Sequence, residues 1–363
     1  MSASVSIDVG ILPSNLCRAL APGIFSSALL AVPAAAQDAS ETFGVAPWTE
    51  AVVSVAEFEP ATKLFREAGN WRLVLSGELD ETELDYWQLP EQTSAYFERW
   101  CAPKADTGCI RFVKFEDVEQ EPIRPAARAW DTGGIYSIMV RSDNVPALYD
   151  QALKLGWWAE SPPIRFQFGA SDLRNVVLNG PHGIHVAVYE RITPDFTAFP
   201  VGRISQGFNS MRMVRGRPQA RDFYTDTLGF GILFDSANEP AAPAFSNFGI
   251  PYNLTPQIKR AAAALQPDLP GETGRVEVMQ ITGFTGRDHS ERASPPNLGI
   301  ISVRYPVRDW EAYRAELIGK GAAIAYSAED VVIHGIDQKD STTSIFAVRD
   351  PDGNLTEFYG EID

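Results

Sequence analysis

Histidine and cysteine are scarce in this 363-residue chain, which has four of the first and three of the second. No CxxC pair and no Cys/His cluster occurs, which argues against a structural zinc site. Excess positive charge is also missing. Forty-seven acidic residues face 31 basic ones, a net charge of −16 at neutral pH, and a field of that sign repels phosphate backbones and anionic membrane surfaces. Nucleic acid is therefore disfavoured as a partner. A membrane span is not expected either, because the apolar centre of the N-terminal region, IFSSALLAV, is too short to cross a bilayer and is soon followed by the polar run QDASET.

What is present is ordinary globular composition, 45% apolar and 21% charged, with enough length for two domains. Residues 1–37 differ from the rest: Ala19 to Ala36 is almost wholly apolar or small and ends in PAAAQ, as an export signal cut near Ala36 does. This predicts a periplasmic or secreted protein; the alternative is an Ala-rich leader on a cytoplasmic one. Cleavage would remove Cys17 and leave Cys101 and Cys109, an even pair eight residues apart. In an oxidising compartment the pair could close a small loop worth about 2–3 kcal/mol, the alternative being two ordinary thiols.

After the leader, the order strand, helix, several strands recurs four times. The second unit runs from GIYSIMVRS through NVPALYDQALKLGW to the turn GPHG and the strand IHVAVYERI. The fourth runs from LGIISVRYPV through DWEAYRAELIGKG to DPDG and NLTEFYGEI. The third has the helix RPQARDFYTDTLGF, with Ala220, Phe223, Tyr224 and Leu228 on one face, followed by Gly229 as a cap. The first is a diverged copy with a long insertion. Residues 193–204 lack periodicity and read as a linker, which divides the chain into an N-terminal pair of units, 38–192, and a C-terminal pair, 205–363.

The phrase ARDFYTDTLGF, the βαβββ repeat and the pair GPHGIHVAVYERI and DPDGNLTEFYGEI resemble the vicinal oxygen chelate superfamily, which includes glyoxalase I, extradiol dioxygenases, epimerases and bleomycin-resistance proteins. The resemblance implies an α+β fold of four βαβββ modules paired into two curved-sheet halves, each around a cleft.

In DPDG, Pro351 presets φ, Asp350 and Asp352 can bond the amides that follow, and Gly353 accepts positive φ. Alternation along the last strand then puts Leu355, Glu357 and Tyr359 on one face. If that face lines a cleft, Glu357 is a carboxylate among apolar groups and a candidate base; the resemblance makes its place a metal ligand or general base. Metal-binding relatives carry histidine or glutamine on the opening strands. The matching positions here are Asn209 in the third unit and Ser302 in the fourth, with Tyr136 and Ala187 in the second. A two-histidine-one-carboxylate iron site is not available, and extradiol dioxygenase activity is disfavoured. Glu277, equivalent to Glu357, leaves open a carboxylate pair facing one cleft that could hold a divalent metal or share protons.

His334 is the histidine best placed to approach Glu357; His182 and His289 fall in polar turns, and His185 reads as structural. Arg304, of the same parity as Ser302, could clamp an oxyanion, with Arg212 as a competitor. Tyr224, Tyr252, Tyr305 and Phe248 suit a planar ligand, and Tyr359 shares the face of Glu357. The expected function is a glyoxalase-like, metal-independent lyase or isomerase moving a proton on a small carbonyl or aromatic compound, with no cofactor. A non-catalytic binding or sequestration protein and a divalent-metal enzyme are the alternatives. The expected partner is a small, aromatic or oxyanionic organic molecule, and homodimerisation is left open.

Overall fold

The computed structural model describes residues 43–360 apart from 239, 241, 270 and 337–341. The leader and its cleavage site lie outside the described residues. Module one holds β1 (Glu50–Ser54), α1 (Phe58–Glu67), β2 (Arg72–Glu78), the inserted helix α2 (Glu81–Tyr86), β3 (Ser94–Cys101) and β4 (Cys109–Glu116). Module two holds β5 (Ile135–Arg141), α3 (Val145–Lys154), β6 (Ile164–Phe168), β7 (Ser171–Asn179) and β8 (His185–Thr193). Module three holds β9 (Gly207–Met213), α4 (Arg217–Asp222), β10 (Gly231–Asn238), β11 (Lys259–Gln266) and β12 (Arg275–Thr282). Module four holds β13 (Gly299–Val307), α5 (Trp310–Gly319), β14 (Ile324–Val332), β15 (Thr342–Arg349) and β16 (Leu355–Gly360).

These strands build two curled eight-stranded sheets, in the orders β14-β15-β16-β13-β1-β4-β3-β2 and β10-β11-β12-β9-β5-β8-β7-β6. Four βαβββ modules thus make two halves, but the halves are not the sequence-adjacent pairs. Module one pairs with module four through antiparallel β1 and β13, and module two with module three through antiparallel β5 and β9. Residues 193–204, read as a linker between halves, instead connect two modules of one sheet. The crossings between sheets are made by the segments after β4 and after β12, which run side by side through bridges at Pro122–Leu298 and Thr132–Asp288.

Each element follows local rules. Asp309 caps α5 by accepting from the Ala312 amide, Asn144 caps α3 through the Ala147 amide, and Pro218 sits in the first turn of α4. In the closing turn, Asp350 Oδ1 accepts from the amides of Asp352 and Asn354, both at 2.9 Å, and Gly353 takes φ +81°. Strand alternation then sends one set of side chains to the helix-covered faces. There, Val53, Ile138, Val276, Val303 and Phe358 join one core shared by both sheets and by residues of α1, α3, α4 and α5. The opposite faces carry two separate clusters, one per half.

The halves meet closely. Gly207 N–H donates to Gly108 O at 2.9 Å, and a Cβ on Gly108, whose φ is +66°, would lie 2.2 Å from Gly207 O. Three residues expected in the cleft belong to this seam. Arg212 is fully buried on the helix-covered face, bonded to Ser210 Oγ and Thr356 Oγ1. Tyr224 donates to Asp350, and Tyr305 donates to Gly274 O. Arg212 is three residues from Asn209, so the pleat turns it the other way. Cys101 and Cys109 are joined in a disulfide between the ends of β3 and β4.

Candidate functional site

The register identifies the positions that face each other at the centre of each sheet. Arg304 pairs with Glu357, so Ser302 precedes it by two on the same face. The same relation gives Asn209 and Glu277 in module three, Ser137 and Ala187 in module two, and Glu50 and Arg111 in module one. For module two the opening position is therefore Ser137. Tyr136 lies one residue away at a bulge, where its carbonyl contacts His185 Nδ1 at 2.9 Å.

In the half made by modules one and four, these positions are locked together. Glu357 is buried and points inward, as the alternation predicts. Its Oε1 accepts from Trp87 Nε1 at 2.9 Å, and its Oε2 accepts from Ser302 Oγ at 2.7 Å and Arg304 Nε at 2.9 Å. Arg304 also donates to Glu50 at 3.2 Å and Glu83 at 2.6 Å. Glu50 in turn accepts from Arg111 at 2.7 Å and Arg99 at 2.8 Å. Burial alone would raise the Glu50 carboxyl, but Arg111, Arg99 and Arg304 outweigh it and hold it at about 2.

Three carboxylates and three guanidiniums cancel in this cluster, and α2 closes it from above. Asp80 caps that helix, Glu83 and Trp87 reach Arg304 and Glu357, and Thr82 Oγ1 accepts from the Val332 amide. The insertion in module one thus fills its own cleft. His334 lies at the edge: its ring stacks on Phe97 at 6.1 Å and its carbonyl accepts from Arg111. Tyr359 donates to Thr49 Oγ1 at 3.2 Å. A carboxylate already accepting from three donors is poorly suited to take a proton from a ligand, so the geometry speaks against Glu357, Arg304 and His334 as a catalytic set.

The half made by modules two and three is open. A cavity of about 1040 Å³ lies against β5, β8, β9 and β12 and is lined by Phe166, Phe208, Phe248 and Tyr189, with Phe245 and Tyr252 exposed beside it. Glu277 projects into it from β12. It is only 7% exposed, and among the described residues its carboxylate makes no hydrogen bond or ion pair. Burial pushes this carboxyl up to about 7. Asn209 lines the same cavity, and its buried Oδ1 has no partner among the described residues. Burial, then the charge of Glu277, raises the Tyr189 phenol well above its ordinary value. Of the residues proposed from sequence, Asn209, Phe248, Tyr252 and Glu277 come together here.

Glu277 and Glu357 belong to different sheets, so they do not form the carboxylate pair considered above, either as metal ligands or as a shared acid and base. The donor chemistry of both centres fits a divalent ion poorly. In one half Arg111 occupies a ligand position and Arg304 adjoins it, so positive charge is already built in. In the other, a hydroxyl, an alanine, an amide and one carboxylate stand at the four positions. Among the described residues no group of three or more His, Cys, Asp or Glu is placed to hold a metal. Sequence reasoning missed Glu50, Arg111 and Glu83, which only the pairing of module one with module four brings to Glu357.

Two curled sheets of paired βαβββ modules define a class of fold, and comparison with solved structures names it. The chain is similar to glyoxalase I from Zea mays, with a TM-score of 0.57 and 15% identity over 86% of this chain and 92% of that one. It is also similar to a protein from Bacillus subtilis assigned as a dioxygenase, with a TM-score of 0.53 and 10% identity over 88% of this chain and 86% of that one. The fold is that of the vicinal oxygen chelate superfamily. No protein-family model and no curated protein matches the sequence. No helix among the described residues is long and apolar enough to cross a membrane.

Proposed function

We propose that the protein binds a small organic molecule in the cavity between modules two and three and moves a proton on it through Glu277, without a metal. The observation that carries this reading is a buried carboxyl, without a partner among the described residues and poised near neutrality, inside an open, ring-lined cavity. A base with that pKa is half ionised at neutral pH, and it needs no other group to be displaced before it can accept a proton. Asn209 and the Tyr189 hydroxyl are donors available to an oxygen that gains charge as the proton leaves. This corresponds to a lyase or isomerase acting next to a carbonyl or phenol. The Cys101–Cys109 disulfide suits an oxidising, periplasmic or secreted setting.

The test is solvent deuterium exchange into 2-indanone, a planar ketone with acidic C–H bonds, followed by proton NMR. The wild type is expected to speed uptake above buffer, with a rate rising through pH 7, and Glu277→Gln to return it to the buffer rate. Exchange that persists in Glu277→Gln would remove Glu277 as the base. A second reading, a non-catalytic binder, draws on the exposed Phe245, Leu233 and Tyr252 beside the cavity. It predicts that 2-indanone raises the melting temperature while no exchange occurs.

A further inference from the structure

The charge around the cavity runs against the rest of the molecule. In a chain with a net charge of −16, the cavity is lined by five arginines, Arg141, Arg165, Arg191, Arg260 and Arg275, and a single carboxylate, Glu277. Arg165 is spoken for by Asp172, and Arg275 by Glu272, Gln266 and Gly271 O. Arg141 and Arg191 have no such partners: neither guanidinium makes a hydrogen bond or ion pair among the described residues, and the Nε of each is buried and unsatisfied.

These two arginines sit together. Arg141 ends β5 opposite Tyr189, and Arg191 is two residues further along β8, on the same face. The Phe196 ring, from the segment that joins modules two and three, lies 4.0 Å from the Arg141 guanidinium and 5.1 Å from that of Arg191, and Phe208 lies 4.5 Å from Arg141. Arg141 is 7% exposed, and burial, then the charge of Arg191, pulls its pKa down to about 10. Aromatic faces hold a guanidinium in place but do not satisfy its N–H groups. Two adjacent cations, each with a buried, unused Nε donor and its fork facing the cavity, repel one another and favour something negative between them.

We infer that Arg141 and Arg191 form an oxyanion clamp, so that the cavity's ligand is an apolar or aromatic molecule bearing a carboxylate or phosphate. The planar fork of arginine matches either group with paired hydrogen bonds. The rings accommodate the ligand's body, and Asn209 and Glu277 face it from β9 and β12. This inference rests on the cavity being the ligand site and adds the class of ligand.

Calorimetric titration with 2-naphthoate, 2-naphthyl phosphate and the neutral 2-naphthamide tests it. The expected result is that at least one anion binds tenfold or more tightly than the amide, the stronger one showing which oxyanion is meant. Arg191→Gln, at a half-buried position, and Arg141→Gln should each remove that preference while amide binding persists. If all three probes bind alike, or if the preference survives both substitutions, the clamp is wrong although the cavity still binds ligands. If none binds, both the clamp and the cavity reading fall. Should Arg141→Gln not fold, Arg191→Gln alone decides.

Discussion

Two glutamates at equivalent register positions, Glu277 and Glu357, have opposite fates, and the difference lies in their neighbours. Glu357 has three donors; Glu277 has none among the described residues. The folded Glu277 carboxyl, at about 7, lies above the 4.5 of an unfolded chain, so the folded state holds the extra proton between those values. The ionisation penalty of its burial is absent below about pH 4.5, grows as pH rises to 7, and reaches about 3 kcal/mol beyond. Glu277→Gln should therefore stabilise the protein by up to that amount at pH 8 and by much less at pH 5, as read from denaturant unfolding at both pH values. An equal gain at both would contradict the assigned environment. At this scale the sequence was legible wherever strand parity decides: Ser302, Arg304 and Glu357 share a face, as alternation requires. Arg212 was misread because its parity relative to Asn209 was not applied. The partners Glu50 and Glu83 could not be read, since they come from 254 and 221 residues away from Arg304.

Helix α2 turns one cleft into a core. It arrives with Glu83 and Trp87, and its charges complete a cluster that is neutral as a whole but intolerant of losing one member. Arg304→Met would leave Glu50, Glu83 and Glu357 buried with too few cations. The expected loss is about 3–5 kcal/mol in unfolding free energy, far more than for an exposed arginine; a loss below about 1 kcal/mol would contradict the network. Glu50 adds an acid limit: its folded value of about 2 lies below 4.5, so its contribution is present above pH 4.5 and fades as pH falls toward 2. The disulfide ties the ends of β3 and β4 together, and reducing it should cost about 2–3 kcal/mol on the chain-entropy estimate, checked by thermal unfolding with and without reductant. The helices, the closing turn and the four repeats were readable from caps, prolines and periodicity. That the insertion in module one would fill a cleft was not, because Glu83, Trp87 and Thr82 find their polar partners on β13, β16 and β14 of module four.

At the scale of the whole molecule, module order and module pairing differ. The repeat was visible in the sequence, but nothing local distinguishes β1 meeting β5 from β1 meeting β13. That choice is made by long-range contacts, and the antiparallel junctions β1–β13 and β5–β9 record it. Fragments 43–204 and 205–360 should accordingly fail to fold cooperatively alone, since each would hold two modules from different sheets, and should regain a common unfolding transition when mixed. A cooperative transition in isolated 205–360 would overturn the pairing. The same arrangement divides labour: one half carries a cancelled ion cluster under a helix, the other an open cavity in which Glu277, Arg141 and Arg191 have no ion-pair partner among the described residues. The most direct test of that division is a pH titration of the Glu277 carboxyl by carbon-13 NMR, with Glu277→Gln identifying its resonance. A midpoint near 7 is predicted; a midpoint near 4.5, the value of a solvated glutamate, would contradict the account.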